Sequence, residues 1–294
     1  TYLMAQMAEE YIHVAQKGLE DVSEHLRIAR VSYKNGLGLY ADTLRASTAV
    51  TEAEQKLVSA EKNLKVAQRS LGLLLGLEQS IRTTTDDLEL TLHDLDHYTI
   101  SARARRDIQS MQHHFTNAQN NLRLNEAAYF PTLGVGSSYQ LNDAEVPFGS
   151  DGESWQVFAL FKWELFDGSK RRHEKQKAHY QIAETREHLA RLMDAATFQV
   201  FESFLGVEEA WKNSELAKSA LATAEEGQRL VRIRYENSLS PLVDLLDAQM
   251  SLDQARTNVL VREKEQQLAT LKLCFESGII LPELGVAAVT PENN

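Results

Sequence analysis

Tyr235-Glu236-Asn237-Ser238-Leu239-Ser240-Pro241-Leu242-Val243-Asp244-Leu245-Leu246 restates an earlier stretch of the same chain. The earlier copy is Tyr33-Lys34-Asn35-Gly36-Leu37-Gly38-Leu39-Tyr40-Ala41-Asp42-Thr43-Leu44, at an offset of 202 residues. The register then holds without a gap. Ala46 falls on Ala248, Ala53 on Ala255, Glu61-Lys62 on Glu263-Lys264 and Gly76 on Gly278; upstream, Leu3 falls on Leu205 and Arg27 on Arg229. Any two amphipathic helices share some identities. An ungapped frame with a common Tyr-x-Asn-x-Leu…Asp-x-Leu turn points instead to an internal duplication.

The repeat unit reads as a long helical hairpin. From Ser169 to about Asn237 there is no proline, and apolar residues recur three and four apart: Leu189, Leu192, Met193, Ala196, Val200, Phe204, Val207, Trp211. Such a helix would be roughly 100 Å long, at about 1.5 Å per residue. Globular helices stop far sooner, so the length itself implies a coiled-coil or tubular architecture. The Asn237–Pro241 turn breaks it, because Pro241 suits the first turn of a new helix. In the return helix Leu245, Leu252, Val259 and Leu273 fall on a seven-residue grid, broken at Gln266. Gly278 and Pro282 are expected to end it.

Composition removes several function classes. Lys and Arg total 31 against 42 Asp and Glu in 294 residues, a formal net charge of −11. Nucleic acid rewards a basic surface, so it is not an expected partner. The lone Cys274 excludes an internal disulfide framework and any multi-cysteine metal site. The longest tight apolar run, Leu71–Leu77, contains two glycines and falls far short of the roughly 20 residues of a helical membrane span. No Ser–His–Asp set, P-loop or glycine-rich nucleotide fingerprint is present, so neither an enzyme nor a cofactor is expected.

Between the hairpins the pattern changes. Thr83–Asp87 reads as a loop, Leu88–Leu90 alternates briefly, and about Ile100–Ala128 reads as one more helix. Tyr129–Leu141 and Trp155–Phe166 then alternate with period two. In the second, Trp155, Val157, Ala159, Phe161, Trp163 and Leu165 share one face; Gln156, Lys162 and Glu164 share the other, with Phe158, Leu160 and Phe166 mixed in. The connecting stretch from Asn142 to Ser154 is polar. The alternation fits two structures: a hairpin laid on a soluble core, or a transmembrane barrel hairpin with an apolar outer face and a polar or small inner one.

Three stretches carry a resemblance: Phe130-Pro131-Thr132-Leu133; Trp155 running into Phe166-Asp167-Gly168-Ser169-Lys170-Arg171-Arg172 and a very long helix; and the tip with Val243-Asp244-Leu245-Leu246-Asp247-Ala248-Gln249. Together they resemble the TolC-like outer membrane efflux proteins over essentially the whole chain. The resemblance implies a mainly α fold, with long antiparallel helical hairpins in a coiled-coil α-barrel. It also implies a homotrimer in the outer membrane of a Gram-negative bacterium, most of each chain lying in the periplasm. The membrane β-hairpin would contribute to a trimeric 12-stranded β-barrel, with Trp155, Val157, Phe161 and Trp163 facing outer membrane lipid. The helix tips would dock onto a periplasmic adaptor, and through it an inner-membrane pump. The implied segments are 1–96, a first-repeat hairpin; 97–128, an ascending helix; 129–166, the membrane hairpin; 167–281, the second hairpin; and 282–294, a tail. Everything equivalent to about His97–Glu202 is missing from the first repeat, which implies an N-terminally truncated chain. The opening Thr1–Gln6 shows no signal-peptide pattern.

The resemblance also nominates sites. The tip residues Asn35, Gly36 and Leu37 and their counterparts Asn237, Ser238 and Leu239 match the adaptor-docking turn, with Ser where the family usually has Gly. A plain helix–helix turn needs Asn and Gly too. Asp42 and Tyr235 match an entrance gate, but Ser240 replaces the basic residue that commonly completes it. Asp42, Asp244 and Asp247 could form an acidic mouth; alternatively Asp42 and Asp244 cap the helices that follow. His93 and His97, four apart, could hold a metal on a helix but have no evident third ligand, so no metal site is expected. Lys170-Arg171-Arg172 could touch anionic headgroups or simply start a helix. The leading function is a passive exit duct of an efflux or type I secretion system. The alternatives are a periplasmic adaptor or a coiled-coil scaffold.

Overall fold

In a computed structural model, residues 1–83, 91–142 and 152–285 are described. The loop and alternating stretch expected over 84–90, the polar connection over 143–151 and the tail over 286–294 lie outside them. The elements in chain order are α1 (Tyr2–Lys34), α2 (Tyr40–Leu74), α3 (Leu95–Ala102), α4 (Arg106–Ala127), β1 (Thr132–Asn142), β2 (Gly152–Lys162), α5 (Lys170–Glu236), α6 (Leu242–Glu276) and α7 (Ile280–Glu283). The fold is mainly helical. No helix among the described residues is long and apolar enough to cross a membrane.

Two compact units divide the chain: Thr1–Ala102 with Phe198–Asn294, and Arg103–Thr197. The first holds both hairpins of the repeat. α1 packs against α2 and α6. Lys218–Glu263 and Gln228–Gln249 pairs show that α5 and α6 run antiparallel. One core cluster (Leu26, Ala29, Ala46, Leu242 and Leu245) lies towards the tips, with Tyr235 packed against it. The other (Tyr98, Ala102, Val200, Val207, Leu273 and Cys274) lies at the opposite end of α6.

The duplication is visible in the backbone. Gly76 and Gly278, 202 residues apart, both adopt positive φ, at 70° and 78°. Each follows the last turn of a hairpin helix. The Leu77 N–H donates to the Gly72 carbonyl and the Ile279 N–H to that of Cys274, both at 2.9 Å. These are the long-range bonds of a Schellman end, which satisfy carbonyls left free by the stopping helix.

Several sequence expectations need correction. The helix expected over 100–128 is two, α3 and α4, broken at 103–105. Asp107 stabilises the restart: it accepts from Arg105 (2.8 Å) and from the Ile108 N–H (3.0 Å), a carboxylate favoured in a first turn. The strand limits are shifted from the alternation: β1 runs Thr132–Asn142 instead of Tyr129–Leu141, and β2 runs Gly152–Lys162 instead of Trp155–Phe166. Trp163 lies one residue beyond β2 and belongs to neither strand. Its ladder position would face Pro131, which has no N–H to donate, so pairing stops at Thr132–Lys162. The return helix α6 ends at Glu276, ahead of Gly278 and Pro282, but Pro282 then sits inside a further short helix, α7. In a single four-residue turn its missing N–H breaks no internal bond.

The second unit contains the hairpin. β1 and β2 pair antiparallel, from Thr132 opposite Lys162 to Asn142 opposite Gly152. The register places Leu133, Val135, Tyr139 and Leu141 on the same face as Phe161, Ala159, Trp155 and Glu153. The opposite face carries Thr132, Gly134, Gly136, Ser138 and Gln140 with Lys162, Leu160, Phe158, Gln156 and Ser154.

Candidate functional site

The two tips have one backbone design. At the first, Gly36 stands at φ 71°; the Leu37 N–H donates to the Ser32 carbonyl (2.9 Å) and the Gly36 N–H to that of Tyr33 (3.0 Å). At the second, Ser238 stands at φ 58°; Leu239 donates to Arg234 (2.7 Å) and Ser238 to Tyr235 (2.9 Å). The pattern reverses the chain with its carbonyls satisfied. It leaves Leu37 and Leu239 projecting, 73% and 69% exposed. Asn35 and Asn237 precede the reversal, both exposed, and the Asn237 side chain returns to the Ile233 carbonyl (2.8 Å).

The gate candidates divide. Tyr235 is partly buried, and its phenol is pushed up, first by burial and then by the nearby Asp42 charge. So the structure brings a residue of α5 close to one of α2, without a hydrogen bond between them. Asp244 and Asp247 are exposed on α6. Asp42 and Asp244 do not cap their helices. Leu39 and Pro241 occupy those positions with no side-chain bond, and the aspartates sit in the first turn. There they favour the positive end of each helix. The Ser240 hydroxyl turns to the Pro241 carbonyl (3.4 Å).

The hairpin's apolar face is bare. Trp155, Val157 and Phe161 are 77%, 65% and 64% exposed, and Leu133 and Val135 exceed 70%. Phe158 and Leu160, the apolar residues mixed into the polar face, lie opposite Gly136 and Gly134. A Cβ on Gly136 would meet the Phe158 ring at 2.6 Å, so this ring covers the glycine.

One arginine ties the start of α5 to the stretch between α4 and β1. Arg171 pairs with Asp167 (2.8 Å), reaches the Ala128 carbonyl (3.3 Å) and lies 5.1 Å over the Tyr129 ring. The Trp163 indole donates to the Tyr129 carbonyl (3.3 Å). The Asp167 carboxylate also accepts the N–H groups of Ser169 and Arg171, opening α5. These bonds, with the arginine charge, hold it below the usual carboxylate range. Arg171 is therefore occupied within the chain, whereas Lys170 and Arg172 are exposed. His93 precedes α3 instead of lying on it; its ring stacks 4.5 Å from His97, and no metal-holding cluster occurs among the described residues.

Residues 100–275, more than half of the chain, match the family described as outer membrane efflux protein. The chain belongs to the outer membrane efflux protein family. Its relatives include Nodulation protein T of Rhizobium leguminosarum bv. trifolii, 21% identical over 95% of this chain and 62% of that protein. Another is the outer membrane efflux protein BepC of Brucella suis biovar 1 (strain 1330), 19% identical, covering all of this chain and 65% of that protein. The chain thus spans less than two thirds of either relative. The solved outer membrane protein VceC of Vibrio cholerae shares the fold, with a TM-score of 0.73 at 17% identity over 94% of this chain and 68% of that one. Family membership places the protein in the outer membrane of a Gram-negative bacterium. The family and fold are those of channel proteins.

One polar cluster escaped the sequence reading. Between α1, α5 and α6 lie Asp21, His25, Gln228, Gln249, Asp253 and Arg256, with His25 and Gln249 each 1% exposed. Beside it α1, α2 and α6 line a groove of about 610 Å³, reached by Gln249 and Asp253. A signal existed: Gln249 and Arg256 each follow a grid leucine, Leu245 and Leu252, by four residues, where a coiled coil normally buries an apolar side chain.

Proposed function

We propose that this outer membrane efflux protein acts as the passive exit duct of an efflux or type I secretion system. Three copies share one outer membrane barrel, to which β1 and β2 contribute, and their helices enclose a periplasmic tunnel. The tips Asn35-Gly36-Leu37 and Asn237-Ser238-Leu239 dock onto a periplasmic adaptor, which couples the duct to an inner-membrane pump. Asp42, Tyr235, Asp244 and Asp247 line the inner mouth. The observation that carries the reading is the pair of identically built tips with projecting leucines at a 202-residue offset. A trimer offers six such tips, which suits a six-membered adaptor ring. The bare face of Trp155, Val157 and Phe161 supports lipid contact, since large exposed apolar surface needs an occupant. Trp163, just past β2 and bonded to Tyr129, suits the membrane–water boundary, where amphipathic aromatics collect.

Bilayer reconstitution of the intact protein tests this. A trimer with ion conductance is expected; a monomer with none would overturn the reading.

A further inference from the structure

We infer that His25 is a pH-sensitive latch joining the two copies of the repeat, and that a proton gained on its Nδ1 loosens the seam between α1 and α6. The inference rests on the seam between these helices and holds whether or not the protein conducts.

The hydrogen bonds of the seam fix each group's role. Asp21 is ion-paired with Arg256 at 2.7 Å. The Gln249 amide nitrogen sits between two carboxylates, Asp21 (3.2 Å) and Asp253 (2.9 Å), and must donate to both. Its oxygen is then an acceptor, facing His25 Nε2 and the Gln228 amide nitrogen, each at 3.1 Å. His25 Nε2 must therefore carry the hydrogen. The neutral ring keeps its lone pair on Nδ1, which is buried with no hydrogen-bond partner among the described residues.

That nitrogen is a base in a place built for the neutral ring. A proton there would create a buried N–H and a charge with no acceptor, which costs far more than the neutral arrangement. The charged groups around the ring do not compensate. Asp21 and Glu24 on α1 favour the cation and Arg232 on α5 opposes it; from α6 neutral Gln249 meets the ring, with Asp253 and Arg256 beyond it. Burial dominates and pushes the imidazole below its ordinary value. The sign follows: the latch is intact above about pH 6.5, the ordinary histidine value, and fails as pH falls through the lower value of the folded protein. To accept the proton the ring must swing towards water. It then drops Gln249, whose amide links Asp21 to Asp253.

Two features make this a device of one seam. A Cβ on Gly18 of α1 would lie 3.2 Å from Asp253, so the helices approach closely there. And the second copy does not repeat the cluster: Thr223, Gly227, Ser47 and Glu54 stand where Asp21, His25, Gln249 and Arg256 would be.

Hydrogen exchange on the intact protein, corrected for intrinsic rates, tests the latch. Segments 17–30 and 245–257 should lose about tenfold protection between pH 7.5 and 5, while those around Tyr98 and Leu273 hold theirs. His25→Gln, which can still donate to Gln249 but cannot gain a proton, should show no such loss. Should that variant misfold, ¹⁵N-imidazole NMR of the unsubstituted protein decides: His25 Nδ1 must be unprotonated at neutral pH and gain its proton as protection falls. Flat protection in the unsubstituted protein, parallel loss in His25→Gln, or a protonated Nδ1 at neutral pH would overturn the inference.

Discussion

Gly36 and Ser238 occupy the same left-handed conformation at equivalent points of a duplicated hairpin, with φ of 71° and 58°. Glycine adopts it freely; a residue with a Cβ pays roughly 1–2 kcal/mol. Nothing lies within 4 Å of a Cβ built on Gly36, so only the backbone term operates there. Ser238→Gly should therefore stabilise the protein by about 1 kcal/mol, and Gly36→Ala should destabilise it by a similar amount. Chemical denaturation of the paired variants checks both signs.

The proposed docking of the projecting leucines can be separated from folding. Leu37→Asp combined with Leu239→Asp should change stability by no more than about 0.5 kcal/mol, because both side chains are exposed. Affinity for the adaptor should fall at least about tenfold, as expected when apolar anchors are lost. Unfolding curves and adaptor titrations on the same variant measure the two effects.

Acid should loosen the start of α5. Asp167 is held below the usual carboxylate range by the Arg171 N–H and guanidinium and by the Ser169 N–H. Its contribution is complete above about pH 4, the unfolded carboxylate value, and disappears as pH falls through the lower folded value. Asp167→Asn should remove that dependence; the fluorescence of nearby Trp163 against pH is the readout.

Cys274 should be inert in the native protein. It is 1% exposed, and burial, then the Glu283 charge, pushes its thiol up, so little thiolate is present at neutral pH. Maleimide should label it slowly in the folded protein and rapidly in denaturant. Rapid native labelling would mean that the core around Tyr98 and Val200 opens readily.

What could be read in advance follows from what a pattern records. The leucine grid of α6 found real core positions: Leu245, Leu252 and Leu273 are at most 3% exposed. A hydrophobic period passes over polar residues in core positions, so Gln249 and Arg256 went unnoticed though they hold α6 to α1. Strand limits were misjudged because Pro131 ends the ladder through its backbone, which alternation does not sense. Alternation put Phe158 on the polar face without a reason for a large ring there; pairing supplies one, setting it over Gly136.

The two-stranded sheet has a consequence in the bilayer. Among the described residues, β1 and β2 pair only with each other, so each keeps one rim of main-chain donors and acceptors free. Water can satisfy such a rim; hydrocarbon cannot, at several kcal/mol per orphaned group. A hairpin with a bare apolar face and open rims is thus stranded on its own, too greasy for water and too polar at its margins for lipid. In the proposed barrel, further strands would have to satisfy both rims within the bilayer.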